Sequence, residues 1–159
     1  MLFPTHLLVA AVAGRASRLS TLWLVVGAAV PDVVDKPLGL IGVTDIYQTV
    51  GHSVLLLGVV TPFVLSRRRG RMVVVGWGSH LALDALHMLV NGRPADALSL
   101  AWPLATAPDP LGLPPGSFLE FYVGSPSFVL ELLLWLFAGL LLRRGLPPRP
   151  GTDVTGEQG

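Results

Sequence analysis

Within the apolar run 72–90 stand His80, Asp84 and His87. At about 100° per residue these three positions fall on one side of a helix. Two imidazoles and a carboxylate are costly to bury unpaired, so a greasy helix carrying them needs a compensating partner. A metal ion is the natural one. His80 and Asp84 are about 6 Å apart along a helix axis and can share an ion, whereas His87 is about 10.5 Å from His80. His87 is thereby left to a second ion reached through Asp84, or to a supporting hydrogen bond.

Further nitrogen and oxygen donors occur at intervals before that run. His6 lies near the start, Asp32 and Asp35 in Pro31-Asp32-Val33-Val34-Asp35, and His52 in Gly51-His52-Ser53. Imidazole and carboxylate together suit zinc, with manganese or iron as alternatives. A catalytic zinc keeps one position open for water, which it acidifies toward neutral pH while polarising a carbonyl or phosphoryl oxygen. Asp32, His52, His80 and Asp84 are the first-choice ligands and, through metal-activated water, the catalytic set. His6 comes next, with Asp35 and His87 as lesser candidates. Asp35 stands beside Lys36, which suggests an exposed pair; Glu131 reads as a contact to a loop or a headgroup. Tyr47 and Gln48 precede His52 by about one turn and are placed to orient ligands or substrate.

These residues must be positioned by elements of unusual composition. Of 159 residues 52% are hydrophobic and 13% charged, against about 25% charged in a typical soluble domain. With a mean hydropathy of +0.65 the balance favours a membrane protein. There is no cysteine, so disulfides and thiolate sites are excluded, and no basic surface long enough for nucleic acid. The first residues lack the basic n-region of a cleavable signal peptide.

Five apolar segments can be marked, at 7–13, 19–30, 52–65, 72–90 and 128–142. Only the fourth comfortably reaches the roughly 20 residues that span a bilayer. That shortness is the main argument for a soluble helical alternative. Arginine placement argues the other way. If each segment crosses once, Arg15, Arg18, Arg67, Arg68, Arg69, Arg71, Arg143, Arg144 and Arg149 share one side, leaving Lys36 and Arg93 opposite. This positive-inside pattern puts the N-terminus outside and the C-terminus in the cytoplasm. It also carries His6, Asp32, His52 and the 80–87 stripe toward the extracytoplasmic half. Asp32 closes the second segment and His52 opens the third. Proline and glycine make 91–126 an irregular outer loop, with a short helix near 118–123, and Trp102, Phe118, Phe121 and Tyr122 suit an interfacial aromatic belt. The expectation is an all-α membrane bundle of about five segments over 1–146, followed by a polar, disordered tail at 147–159.

The order of these pieces resembles the membrane-bound metal-dependent hydrolase family, the YdjM-like inner-membrane proteins. Their pattern is an early His, then P-D-x-D, H-R-x-x-T-H-S, S-H-x-x-x-D and W-P. It is matched over roughly 1–105 by His6, Pro31-Asp32 with Asp35, Gly51-His52-Ser53, Ser79-His80 with Asp84, and Trp102-Pro103. Tyr47 and Gln48 stand where the pattern has its first His and Arg, and the second acid is displaced one place, to Asp35. The same order is more distantly similar to zinc-dependent phospholipase C. That similarity implies one zinc on Asp32, His52, His80 and Asp84, and a second shared by His6 and Asp84.

The expected function is metal-dependent hydrolysis of an ester or phosphoester of a membrane lipid or lipid-linked headgroup, in a multi-pass cell-membrane protein. Two other classes stay open: a transporter or proton relay built on buried His and Asp, and a non-catalytic membrane scaffold with a structural metal.

Overall fold

The structure, a computed structural model, describes residues 1–17, 19–44, 47–107, 113 and 115–144. Among these the chain is all helical: α1 (Phe3–Ala16), α2 (Thr21–Leu40), α3 (Val54–Val64), α4 (Arg68–Val90), a 3-10 helix (Pro94–Ala101), α5 (Pro115–Tyr122) and α6 (Pro126–Arg143). Two of these, α4 and α6, are long and apolar enough to cross a membrane by length and composition. The helix α3 has only 11 residues, about 16 Å at the helical rise. The tail at 147–159 lies outside the described residues, as do Arg18, Asp45, Asp109 and Arg149.

The second segment differs from its sequence reading. The helix does not close at Pro31 but runs on through both Pro31 and Pro37 to Leu40. A proline removes one helical donor, yet tertiary packing can hold the turn together. Here Leu24, Gly27, Ala28, Pro31, Asp32 and Asp35 form one continuous buried stripe, the spacing of a single helix face. Asp32 and Asp35 are therefore helical neighbours on one face, and Asp35 is wholly buried rather than part of an exposed pair.

Helices α2 and α4 form the central seam. A Cβ on Gly27 would sit 2.1 Å from the Val73 carbonyl oxygen, and one on Gly76 would sit 2.1 Å from that of Leu24. Only glycine lets these backbones approach so closely, the small-residue mode of packing common between membrane helices. The seam aligns the start of α2 with the start of α4. Helix α1 runs back alongside, its Gly14 against Thr21, while Trp135 on α6 donates to Thr5 at 2.8 Å. One pole of the bundle thus gathers the exposed Arg15, Arg67, Arg68, Arg69, Arg71, Arg143 and Arg144. The His and Asp residues lie toward the other pole.

The interior is polar and much of the exterior is apolar. Thr5, His6, Asp32, Asp35, Thr49, His52, His80, Asp84 and Glu131 are buried, whereas Phe63 on α3 and Leu133, Leu136 and Phe137 on α6 are exposed. Two small apolar clusters complete the core, around Trp77, Leu81, Met88 and Leu100, and around Ala10, Leu24 and Ala28.

Candidate metal centre

The centre is assembled from α1, α2, the turn before α3, and α4. Asp35 organises that turn. Its Oδ2 accepts from the Thr49 amide at 2.6 Å, the His52 amide at 3.1 Å and His52 Nδ1 at 2.8 Å. Its Oδ1 accepts from the Gly51 amide at 2.8 Å and the Thr49 hydroxyl at 3.2 Å. A residue expected as a lesser metal ligand thus has both oxygens occupied by the 49–52 turn. Trp77 Nε1 holds the same turn from α4, donating to the Gly51 carbonyl at 2.7 Å. Ser53 caps α3 by accepting from the Leu56 amide and donates to the Trp102 carbonyl. The His-Ser and Trp-Pro pieces of the sequence pattern therefore meet in space.

Because Asp35 accepts a hydrogen bond from His52 Nδ1–H, the lone pair of neutral His52 lies on Nε2. His80 is fixed in the same sense from α2, its Nδ1 2.7 Å from the Ala28 carbonyl oxygen, which can only accept. The two Nε2 atoms then face each other at 3.3 Å. Asp84 Oδ2 lies 3.3 Å from each of them. Three acceptors in a triangle repel unless a proton or a cation sits among them. For a tetrahedral zinc with bonds of about 2.0–2.1 Å, the ligand-to-ligand edge is about 3.3–3.4 Å. Asp32 Oδ1, 3.7 Å from His52 Nε2, stands close enough to be a fourth donor.

Without a metal, a proton on His52 would relieve this repulsion. Burial disfavours the His52 imidazolium, but hydrogen bonds and charge from Asp35 and Asp84 outweigh it and raise its pKa to about 9. The donor set suits a divalent ion that takes nitrogen and oxygen ligands. Asp32, His52 and His80 on one hand, and His6, His80 and Asp84 on the other, each offer ligand atoms within 4.8 Å of one another. The two groups are not equally suited. A ligating imidazole almost always donates its other nitrogen to a partner, which His52 and His80 do. His6 Nδ1 is buried without a hydrogen-bond partner. His6 stacks on His80 at 3.7 Å and directs Nε2 to Asp84 Oδ1 at 3.2 Å, a geometry that suits a donor steadying Asp84. The backbone nitrogen of Met1 lies 3.5 Å from the same oxygen.

Comparison with family models, curated proteins and solved structures finds no match. The likeness to membrane-bound hydrolases therefore rests on motif order alone.

His87 is placed apart from the triangle. It packs against Phe118 at 6.0 Å and Tyr122 at 5.4 Å between ring centroids, on the wall of a cleft of about 280 Å³ whose floor is lined by the buried His6, Asp32, His52 and Asp84. Tyr47 and Gln48 line the same cleft. Tyr122, expected in an interfacial belt, is instead buried at 1% exposure, because its hydroxyl is bound to Glu131 and to the Ser127 carbonyl. Burial and the Glu131 carboxylate both push the Tyr122 hydroxyl above its ordinary pKa.

Sequence reasoning missed two supports. The Ala28 carbonyl leaves no trace in residue type. Glu131, expected as a loop or headgroup contact, is a buried tie: it accepts from Thr5, Tyr122 and the Leu2 amide. It thereby fixes the first turn of α1, and with it His6. An acid inside an apolar helix was the signal, but its partners come from distant elements.

Proposed function

We propose that the chain is a membrane-bound, metal-dependent hydrolase, with zinc the ion its donors fit best and an ester or phosphoester of a lipid or lipid-linked headgroup as substrate. The observation that carries this reading is the triangle of His52 Nε2, His80 Nε2 and Asp84 Oδ2, each edge 3.3 Å. Two of its members have their rings oriented by buried acceptors, so both Nε2 atoms are aimed at one point before any ion arrives. When bound, such an ion supplies a Lewis acid and a water of lowered pKa. Asp35 and the Ala28 carbonyl hold the imidazoles in register, and His6 steadies Asp84. The centre opens onto the cleft, as a catalytic site requires and a closed structural site does not.

Three observations support the membrane part of the reading: the length of α4 and α6, the apolar exterior of α3 and α6, and the arginine pole. In this reading the protein is multi-pass, with that pole cytoplasmic and the metal centre extracytoplasmic.

The test is metal analysis of the purified wild type beside His80→Ala and Asp84→Ala, followed by a hydrolysis screen with phospholipids and phosphodiesters. Stoichiometric zinc in the wild type and its loss in both variants are expected. Full metal retained in Asp84→Ala refutes the ligand assignment. Release of the protein by a carbonate wash refutes the membrane assignment, and solute flux in proteoliposomes without turnover of any ester favours a transporter.

A further inference from the structure

The cleft carries an ion pair that a metal would break. Lys36 Nζ is paired with Asp32 Oδ1 one helical turn away, its side chain 37% exposed. Asp32 Oδ1 also lies 3.7 Å from His52 Nε2, so the ammonium and an ion in the centre would compete for one carboxylate. An occupied centre leaves Lys36 without its full counter-charge at the cleft mouth. An ammonium offers three donors and no acceptor, and a cation in this position calls for an anion. Arg93, which also lines the cleft, is 2.9 Å from Asp96.

Gln48, Asn91 and Ser99 add uncharged polar groups, but one wall of the cleft is apolar. Phe3, Met88, Leu113, Phe118 and Phe121 line the cleft together with the charged residues. An aromatic and aliphatic wall beside a metal and an ammonium matches an amphiphile. A small hydrophilic anion would leave that wall unused, and a neutral ester would leave Lys36 unpaired. An apolar wall facing placed polar groups is the usual anatomy of such sites.

Resting on the metal-centre reading above, we infer that the cleft binds an amphiphile with a phosphate-type head, Lys36 selecting the anionic head and the Phe118–Phe121 wall holding the apolar part. Lys36 is here a specificity-determining residue, its ammonium passing from Asp32 toward the head oxygens as the centre fills.

The test is calorimetric binding of hexylphosphonate, hexanol and inorganic phosphate to the full chain, after its metal content has been measured. Metal-loaded wild type should bind hexylphosphonate about tenfold or more tightly than either hexanol or inorganic phosphate. Lys36→Met should weaken hexylphosphonate binding about tenfold or more, leave hexanol unchanged and keep the metal. Lys36→Arg should restore most of the loss, which a merely structural role for Lys36 would not give. Equal binding by Lys36→Met and wild type overturns the role of Lys36. Inorganic phosphate bound as tightly as hexylphosphonate overturns the amphiphile. A wild type without metal sinks the centre itself, an outcome separate from metal-loaded protein that shows no preference for the anion.

Discussion

The sharpest perturbation of the centre leaves every ligand in place. Asp35→Asn keeps shape and removes one charge and one acceptor. Of the two carboxylate oxygens, Oδ2 takes three donors, from Thr49 and twice from His52, and Oδ1 takes the Gly51 amide and the Thr49 hydroxyl. The better placement of an asparagine puts its oxygen at the Oδ2 position. Its NH2 then points at the Gly51 amide, at the 2.8 Å now spanned by a hydrogen bond. A buried donor facing a donor costs about 1–3 kcal/mol. The carboxylate that fixes the His52 ring is also lost, and such losses lower metal affinity about 10- to 100-fold, or about 1.4–2.7 kcal/mol. The assay is competition against a fluorescent chelator with the variant purified in detergent, helix content being checked by circular dichroism. A variant of unchanged helix content that binds zinc within twofold of wild type refutes the argument that Asp35 sets the centre from behind His52.

Three other outcomes follow from the same structure. The seam should tolerate no side chain at Gly76, where a Cβ meets the Leu24 carbonyl oxygen at 2.1 Å, but should accept Gly78→Ala, whose nearest atom is 3.8 Å away. Size-exclusion chromatography should show Gly76→Leu aggregated and Gly78→Ala monodisperse, with the latter gaining up to about 1 kcal/mol. Zinc binding should release protons. The His52 pKa of about 9 exceeds the 6.5 of an unperturbed histidine, so its protonation stabilises the metal-free fold fully below pH 6.5 and that contribution fades as pH rises through 9. Calorimetry in buffers of different ionisation enthalpy should therefore show close to one proton released at pH 7, and affinity rising about tenfold per pH unit toward pH 9. Finally, Glu131→Leu removes the acceptor shared by Thr5, Tyr122 and the Leu2 amide, leaves that amide unpaired, and should cost about 1–3 kcal/mol of stability. A thermal shift no larger than that of an exposed Leu133→Ala control would count against the tie.

The sequence made the helical class legible because long apolar runs with arginine punctuation admit few other readings. His80 and Asp84 were legible as a pair because four residues on a helix is a spacing with a direction. Legibility failed where proline was read as a stop: Pro31 sits in a helix held by α4 and the 49–52 turn, and only that packing reveals Asp32 and Asp35 as one face. Asp35 was misjudged for a related reason. Its neighbour Lys36 suggested solvent, but at one residue apart the two project from α2 about 100° from each other, Asp35 inward and Lys36 to the cleft mouth. Tyr122 shows the same limit, since an aromatic in a loop reads as interfacial until its hydroxyl finds a buried carboxylate.

The glycine seam also has a consequence for the order in which the site can come into being. His80 acquires a defined lone pair only when α4 is close enough to α2 for its Nδ1 to reach the Ala28 carbonyl, and that approach depends on Gly27 and Gly76. No single helix holds the full set of oriented donors. Metal uptake would thus report complete tertiary assembly of α1, α2, the 49–52 turn and α4, making the ion a reporter of finished folding rather than a template that begins it.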